Sequence, residues 1–137
     1  MVDKNSEEKY FAHKGLMDLS SYRAEKAILD DEWDSFIEKS NQPNIFTTSA
    51  FLKSLSIESG QWNIYKKNQK VGLISVIESD SKNLSFHDLV IYNGIIFGAD
   101  DPNMNQAQIH SERYRIISFC IDFLTSNYET IMLSTTP

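Results

Sequence analysis

The sequence predicts an α+β or mixed α/β sandwich, on three observations. Short β-rich runs at 61–66, 71–78 and 84–92 are separated by polar turns and read as an antiparallel meander. Two segments before them space their apolar residues at helical intervals. One long amphipathic segment after them leads into a last β-rich run. The order is β-α-α-β-β-β-α-β, a sheet with helices packed on its faces.

The elements follow in chain order. Tyr22–Ile28 (YRAEKAI) is a first strand. Asp30 or Asp31 offers an N-cap oxygen to a helix in which Trp33, Phe36 and Ile37 form one buried stripe. Asn41-Gln42-Pro43-Asn44 ends it, because proline cannot continue a helix and disfavours helical backbone just before itself. A second helix follows Ile45-Phe46, capped by Thr47 or Thr48, with Phe51, Leu52 and Leu55 inward and Gly60 as its left-handed C-terminal cap. Gln61–Lys66 and Val71–Glu78 pair through the hairpin Lys67-Asn68-Gln69-Lys70, and Ser79–Asn83 turns into a third meander strand, Leu84–Tyr92. A helix from about Asn105 to Ser126 buries Ile109, Ile116, Ile117, Cys120, Phe123 and Leu124, and Asn127 closes it. Thr130–Thr135 is the last strand, parallel to its neighbour because it arrives through a helix.

At 137 residues the chain has the size of one domain, read as 21–137 behind a mobile or loosely docked segment 1–20. It has no internal repeat and no low-complexity segment. A net charge of −6 argues against a nucleic-acid partner, since non-specific binding there is mostly Lys/Arg neutralisation of phosphates. Lys66, Lys67 and Lys70 read as a solvated turn. No apolar run is long enough for a membrane-spanning helix, and the N-terminus has no signal-peptide core. The lone Cys120 suits a reducing cytoplasm, the expected location, and reads as an inert core thiol. There the Asn83-Leu84-Ser85 sequon stays silent.

The order and several local segments resemble the GNAT acetyltransferase fold, and within it the FemAB-like branch with two GNAT-like halves in tandem. The resemblance rests on EWDSFIEKS at Glu32–Ser40, NIFTTSAFLKSL at Asn44–Leu55, KVGLISVIE at Lys70–Glu78, VIYNGIIFG at Val90–Gly98 and the closing TIMLSTTP. It covers about residues 22–137. It implies an enzyme that transfers an acyl or aminoacyl group to an amine. In the GNAT fold the donor's pyrophosphate lies on backbone N–H groups of an Arg/Gln-x-x-Gly-x-Gly/Ala loop between the fourth strand and the next helix. Exposed amides at a helix start bind an anion.

Here that loop reads FGADDPNMNQAQ, with one glycine and the adjacent carboxylates Asp100 and Asp101, which oppose a pyrophosphate. The expectation is therefore an N-terminal, non-catalytic half, truncated at a domain junction, which shapes the acceptor cleft. It takes no cofactor itself; acyl-CoA or an aminoacyl donor belongs to a missing second half. The acceptor is a small molecule, a cell-wall precursor or a sugar, met through the full-length protein. Two alternatives stand beside it: a stand-alone ligand- or protein-binding module on the same fold, and a complete, divergent acetyltransferase.

Other chemistry is weaker. His87-Asp88 lies in a strand-rich run with no further ligands spaced for a metal. Asp100-Asp101-Pro102-Asn103 lacks the alternating ligands of a calcium loop. No metal ligands and no catalytic residues are assigned. Two acceptor-side candidates remain. Tyr92-Asn93-Gly94 is either an Asn-Gly hairpin turn, the stronger reading, or a segment lining a cleft. Phe46-Thr47-Thr48 contributes hydroxyls that read first as helix caps and second as substrate contacts. The last strand, Ile131–Thr135, would leave an open sheet edge, so a homodimer through that edge is expected.

Overall fold

Side-chain alternation along Gln61–Lys66 organises the architecture: Trp62 and Ile64 point to one face of a sheet, Asn63 and Tyr65 to the other. The computed structural model describes residues 17–135. It is an α+β structure with these elements: β1 (Tyr22–Lys26), α1 (Asp31–Lys39), a 3-10 turn (Ile45–Thr47), α2 (Ser49–Ser54), β2 (Gln61–Lys66), β3 (Gln69–Ser75), β4 (Ile77–Glu78), β5 (Leu84–Ser85), β6 (Gly94–Phe97) and α3 (Gln106–Asn127). The main sheet is antiparallel throughout, in the order β1-β2-β3-β6, and β4 and β5 form a separate pair.

Helix α3 covers one face. Its Ile116, Cys120 and Leu124 pack with Tyr22, Ile64, Ile74 and Ile95, joined by Val76, Leu84 and Tyr128. Glu112 ties the helix to the sheet by accepting from the Tyr22 hydroxyl and from Lys66 Nζ, the latter at 3.1 Å. On the other face, Trp33 and Ile37 of α1 and Leu52 of α2 pack on Leu73 and Ile96. Asp30 is the N-cap of α1, accepting from Trp33 N at 3.1 Å. Trp33 Nε1 donates to Thr47 O at 2.7 Å, which locks the 3-10 turn onto α1.

Several expectations are corrected. The third strand does not run from Leu84 to Tyr92: only Leu84–Ser85 pair there, and His87 folds back on Val90 in a tight turn. The apolar letters of that stretch are partly outward, with Phe86, Leu89 and Ile91 exposed. Thr130–Thr135 is not a strand of the sheet. It makes isolated bridges only, Thr130 parallel to Asn83 and Ser134 antiparallel to Asn93. Two short bridges cannot build a ladder, so the sheet edges belong to β1 and β6.

Gly60 does not cap the second helix, which ends at Ser54 with Leu55 as its cap. Gly60 leads into β2 instead, at φ +92°, where an added Cβ would lie 2.5 Å from Val76 O. Neither threonine hydroxyl caps α2. Thr48 occupies the N-cap position, but Asp34 of α1 does the capping, accepting from Ser49 N at 2.8 Å and from the Ser49 hydroxyl. Ile117 is 40% exposed rather than buried, since the inward stripe of α3 runs through Ile109, Ile116, Cys120 and Leu124. Most of the segment 1–20 and the chain end at Pro137 lie outside the described residues.

Candidate functional site

A bulge sets the main groove. Ile64 pairs with Gly72 and Tyr65 with Lys70, so Val71 is the extra residue in β3. Gly72 and Val71 both turn toward α3: Val71 packs in the core beneath it, and a Cβ at Gly72 would lie 3.7 Å from Ile116 Cγ2. The shift carries Lys70 to the α1 face, level with Tyr65. Lys70 Nζ lies 4.5 Å from the Phe36 ring centre and 5.6 Å from that of Trp33. The expectation of a solvated lysine turn is thus split: Lys67 is exposed in the turn, Lys66 pairs with Glu112, and Lys70 enters a groove.

The groove has a volume of about 870 Å³. It exists because α1 and α2 pack over Leu73 and Ile96 but leave the β1–β2 half of that face uncovered. The uncovered half presents Glu25, Asn63 and Tyr65, with Lys70 beside them. Asp30, Glu32 and Phe36 form the wall on the α1 side. Gly98 lets the chain pass close: its N–H donates to Val71 O at 2.9 Å, and a Cβ there would sit 3.2 Å from Phe36 Cζ.

Burial pushes the Lys70 ammonium below its ordinary range, while Asp30 and Glu32 pull it back up. No carboxylate is within ion-pair distance of Lys70 among the described residues. Asn63 Oδ1 is buried there without a hydrogen-bond partner.

The far end of the groove is the β6–α3 connection. Asp100 pairs with Arg113 at 2.7 Å, and the guanidinium lies 5.4 Å from the Phe97 ring centre. Asp101 accepts from Asn103 N at 2.8 Å as part of a turn. Helix α3 opens with a complete capping box: Asn105 Oδ1 accepts from Gln108 N and Gln108 Oε1 from Asn105 N, each at 2.9 Å.

The residues singled out from sequence are brought together, but around something small. Thr47, Tyr92, Asn93 and Gly94 line a cavity of about 10 Å³, room for about one water. Phe46 meets Tyr92 edge-on at 5.8 Å and Phe51 at 5.5 Å. The Thr47 hydroxyl donates to Asn44, and that of Thr48 to Ile45 O at 2.7 Å. Asn93-Gly94 is not a hairpin turn: it opens β6. Asn93 N donates to Ser134 O at 2.8 Å and its Oδ1 accepts from Ser134 N at 3.0 Å. Gly94, at φ +124°, lets Thr135 approach. These residues clamp the C-terminal segment to the sheet.

Sequence reasoning passed over Asn63 and Tyr65, and placed Lys70 in a solvated turn. A signal for Asn63 and Tyr65 was present in QWNIYK, whose polar members alternate with Trp62 and Ile64. His87 belongs to its turn, where Nδ1 accepts from Leu89 N at 3.1 Å. Cys120 is buried, and burial raises its thiol to about 12. No helix among the described residues is long and apolar enough to cross a membrane. No family model, curated protein or solved structure matches this chain.

Proposed function

We propose that this chain is the acceptor-side, non-catalytic half of a FemAB-like N-acyltransferase, and that its groove holds the amine-bearing acceptor. The observation that supports the reading is a contrast at the β6–α3 connection: a closed helix start beside an open groove. A pyrophosphate needs free amides at a helix start. Here the Gln108 amide is taken by Asn105, and Asp100 and Asp101 stand nearby. The groove itself offers carboxylates at Glu25, Asp30, Asp31 and Glu32, partners of opposite charge for an ammonium group. The acyl-CoA or aminoacyl donor then falls to a second domain, and the acceptor is a small-molecule, sugar or cell-wall amine.

Titration of the chain with coenzyme A, and separately with glucosamine and lysine, tests this by amide NMR. The expected result is no response to coenzyme A and ligand-dependent shifts at Asn63, Tyr65 and Asp30 with an amine. Micromolar coenzyme A binding, or acetyl transfer to an amine by the chain alone, overturns it. One observation favours a stand-alone protein-binding module instead: the 86–91 turn exposes Phe86, Leu89 and Ile91 at 57%, 58% and 59%. Reading the coding sequence beyond codon 137 separates the two, since a continuing frame with a Gly-x-Gly/Ala loop favours the first.

A further inference from the structure

We infer that two copies of this chain pair through the outer face of α3, in a two-fold, antiparallel helix crossing centred on Ser118. The inference is independent of the acyltransferase reading. One side of α3 is buried on the sheet through Ile109, Ile116, Cys120 and Leu124. Residues alternately four and three apart return to one side of a helix. Ala107, Ser111, Tyr114, Ser118, Ile121 and Thr125 follow that spacing on the side away from the sheet, and none of them is charged. All are exposed except Ser118, which is half-buried among its neighbours. Tyr114 is 61% exposed and Ile121 40%, with Ile117 beside them. Thr125 adds its methyl group, because its hydroxyl donates to Ile121 O at 2.8 Å. The result is an apolar stripe along most of the helix, with its smallest members at Ser111 and Ser118.

Charge identifies what covers this stripe. The acidic and basic side chains of α3 are Glu112, Arg113, Arg115 and Asp122. Glu112 accepts from Tyr22 and Lys66, and Arg113 pairs with Asp100, so both are engaged on the sheet and groove side. Arg115 and Asp122 are seven residues apart, which puts them on one flank of the stripe. Arg115 is three residues before Ser118 and Asp122 four after it. An antiparallel crossing at Ser118 therefore brings each Arg115 opposite the partner's Asp122, twice per dimer, whereas a parallel one sets like against like. The Arg115 side chain is 47% exposed, and its contact with Glu112 in the same helix spans 3.9 Å, so the guanidinium is free to reach across. The same operation lays Tyr114 against the partner's Ile121. Ser118 meets its own copy, and a small residue there lets the helix axes approach to about 8–10 Å. Such self-complementarity is what a two-fold interface requires. The chain carries a net charge of −6, yet this face holds one positive and one negative group, so two copies meet there without net repulsion.

Sedimentation equilibrium of the full chain, from about 1 μM to about 1 mM, reads the association. A concentration-dependent dimer is expected. Arg115→Asp and Asp122→Arg, each checked for folding by circular dichroism, set like charges across the crossing. Each should raise the dissociation constant about tenfold or more. An equal mixture of the two variants should associate again, because one copy then carries two carboxylates on this flank and the other two guanidinium groups. Covalent capture gives a second reading. Ser118→Cys should form a disulfide-linked dimer on mild oxidation, while Thr125→Cys should not, since an antiparallel crossing sets position 125 against the partner's Ser111. Cys120 is buried and stays out of the exchange. A monomer over the whole range assigns the stripe to a different occupant and overturns the inference. So does a mixture that associates no better than either charge variant alone, or a Thr125→Cys chain that cross-links as fast as Ser118→Cys.

Discussion

The two faces of the sheet differ in how much helix covers them. Helix α3 has 22 residues, about 33 Å of helix, and it seals its face with an apolar layer from Tyr22 to Tyr128. The 9-residue α1 and 6-residue α2 seal only the Leu73–Ile96 half of the other face. The uncovered half is polar, and it is where the groove forms. The groove follows from a shortage of helix, matched residue by residue by the polar members of β1 and β2. The stripe Trp62-Ile64 meets α3 while Asn63-Tyr65 meets solvent and the groove.

Substitutions can break this contrast, the most damaging first. Leu124→Ala, on the sealed face at 0% exposure, should lower unfolding stability in urea by about 2–5 kcal/mol. Tyr65→Ala on the open half serves as the contrasting variant and should change stability little. Trp33→Phe removes the donor to Thr47 O and should cost about 1–3 kcal/mol, measured the same way, because a buried carbonyl loses its partner. Asp34→Ala takes away the cap that α1 lends to α2, about 0.5–2 kcal/mol, with faster amide exchange at Ser49 as the local readout.

Alkaline titration sharpens the same comparison, because the two faces respond with opposite sign. On the α3 face burial raises the Cys120 thiol from 9.0 to about 12, and burial with the bond to Glu78 raises the Tyr128 hydroxyl from 10.0 to about 12. Above pH 9 the native state therefore holds protons that the unfolded chain releases, and stability falls as pH rises toward 12. Lys70 is lowered by burial, so just below its ordinary 10.5 the unfolded chain binds the extra proton and stability rises with pH. Lys70→Met should remove that rise and make the fall between pH 9 and 10.5 steeper in urea titrations at fixed ionic strength. An unchanged slope would place Lys70 outside the half-buried position described for it.

The elements that periodicity marks most strongly were readable from sequence. Asp30 before the Trp33–Ile37 stripe, the Gln61–Lys66 and β3 hairpin, and the long helix after Asn105 with its buried Cys120 are all present. The site was less readable. The aromatic and Asn-Gly signals around Phe46 and Tyr92–Gly94 marked residues that do meet in space, but they enclose about 10 Å³ and clamp a chain segment. An apolar or turn-forming residue type does not state what lies opposite it.

By itself the sequence determined local matters: where the helices at Asp31–Lys39 and Gln106–Asn127 start, and which strand residues share a face. These depend on caps, proline and periods of two or 3.6 residues, all contained within a few positions. Only the tertiary structure decided that LVIYNGIIFG breaks into an exposed turn and an edge strand, that Asp34 caps a helix 15 residues on, and that Lys70 faces a groove. Each of these depends on a partner distant in the chain. A bulge reverses the face of every residue beyond it only once the partner strand fixes the register.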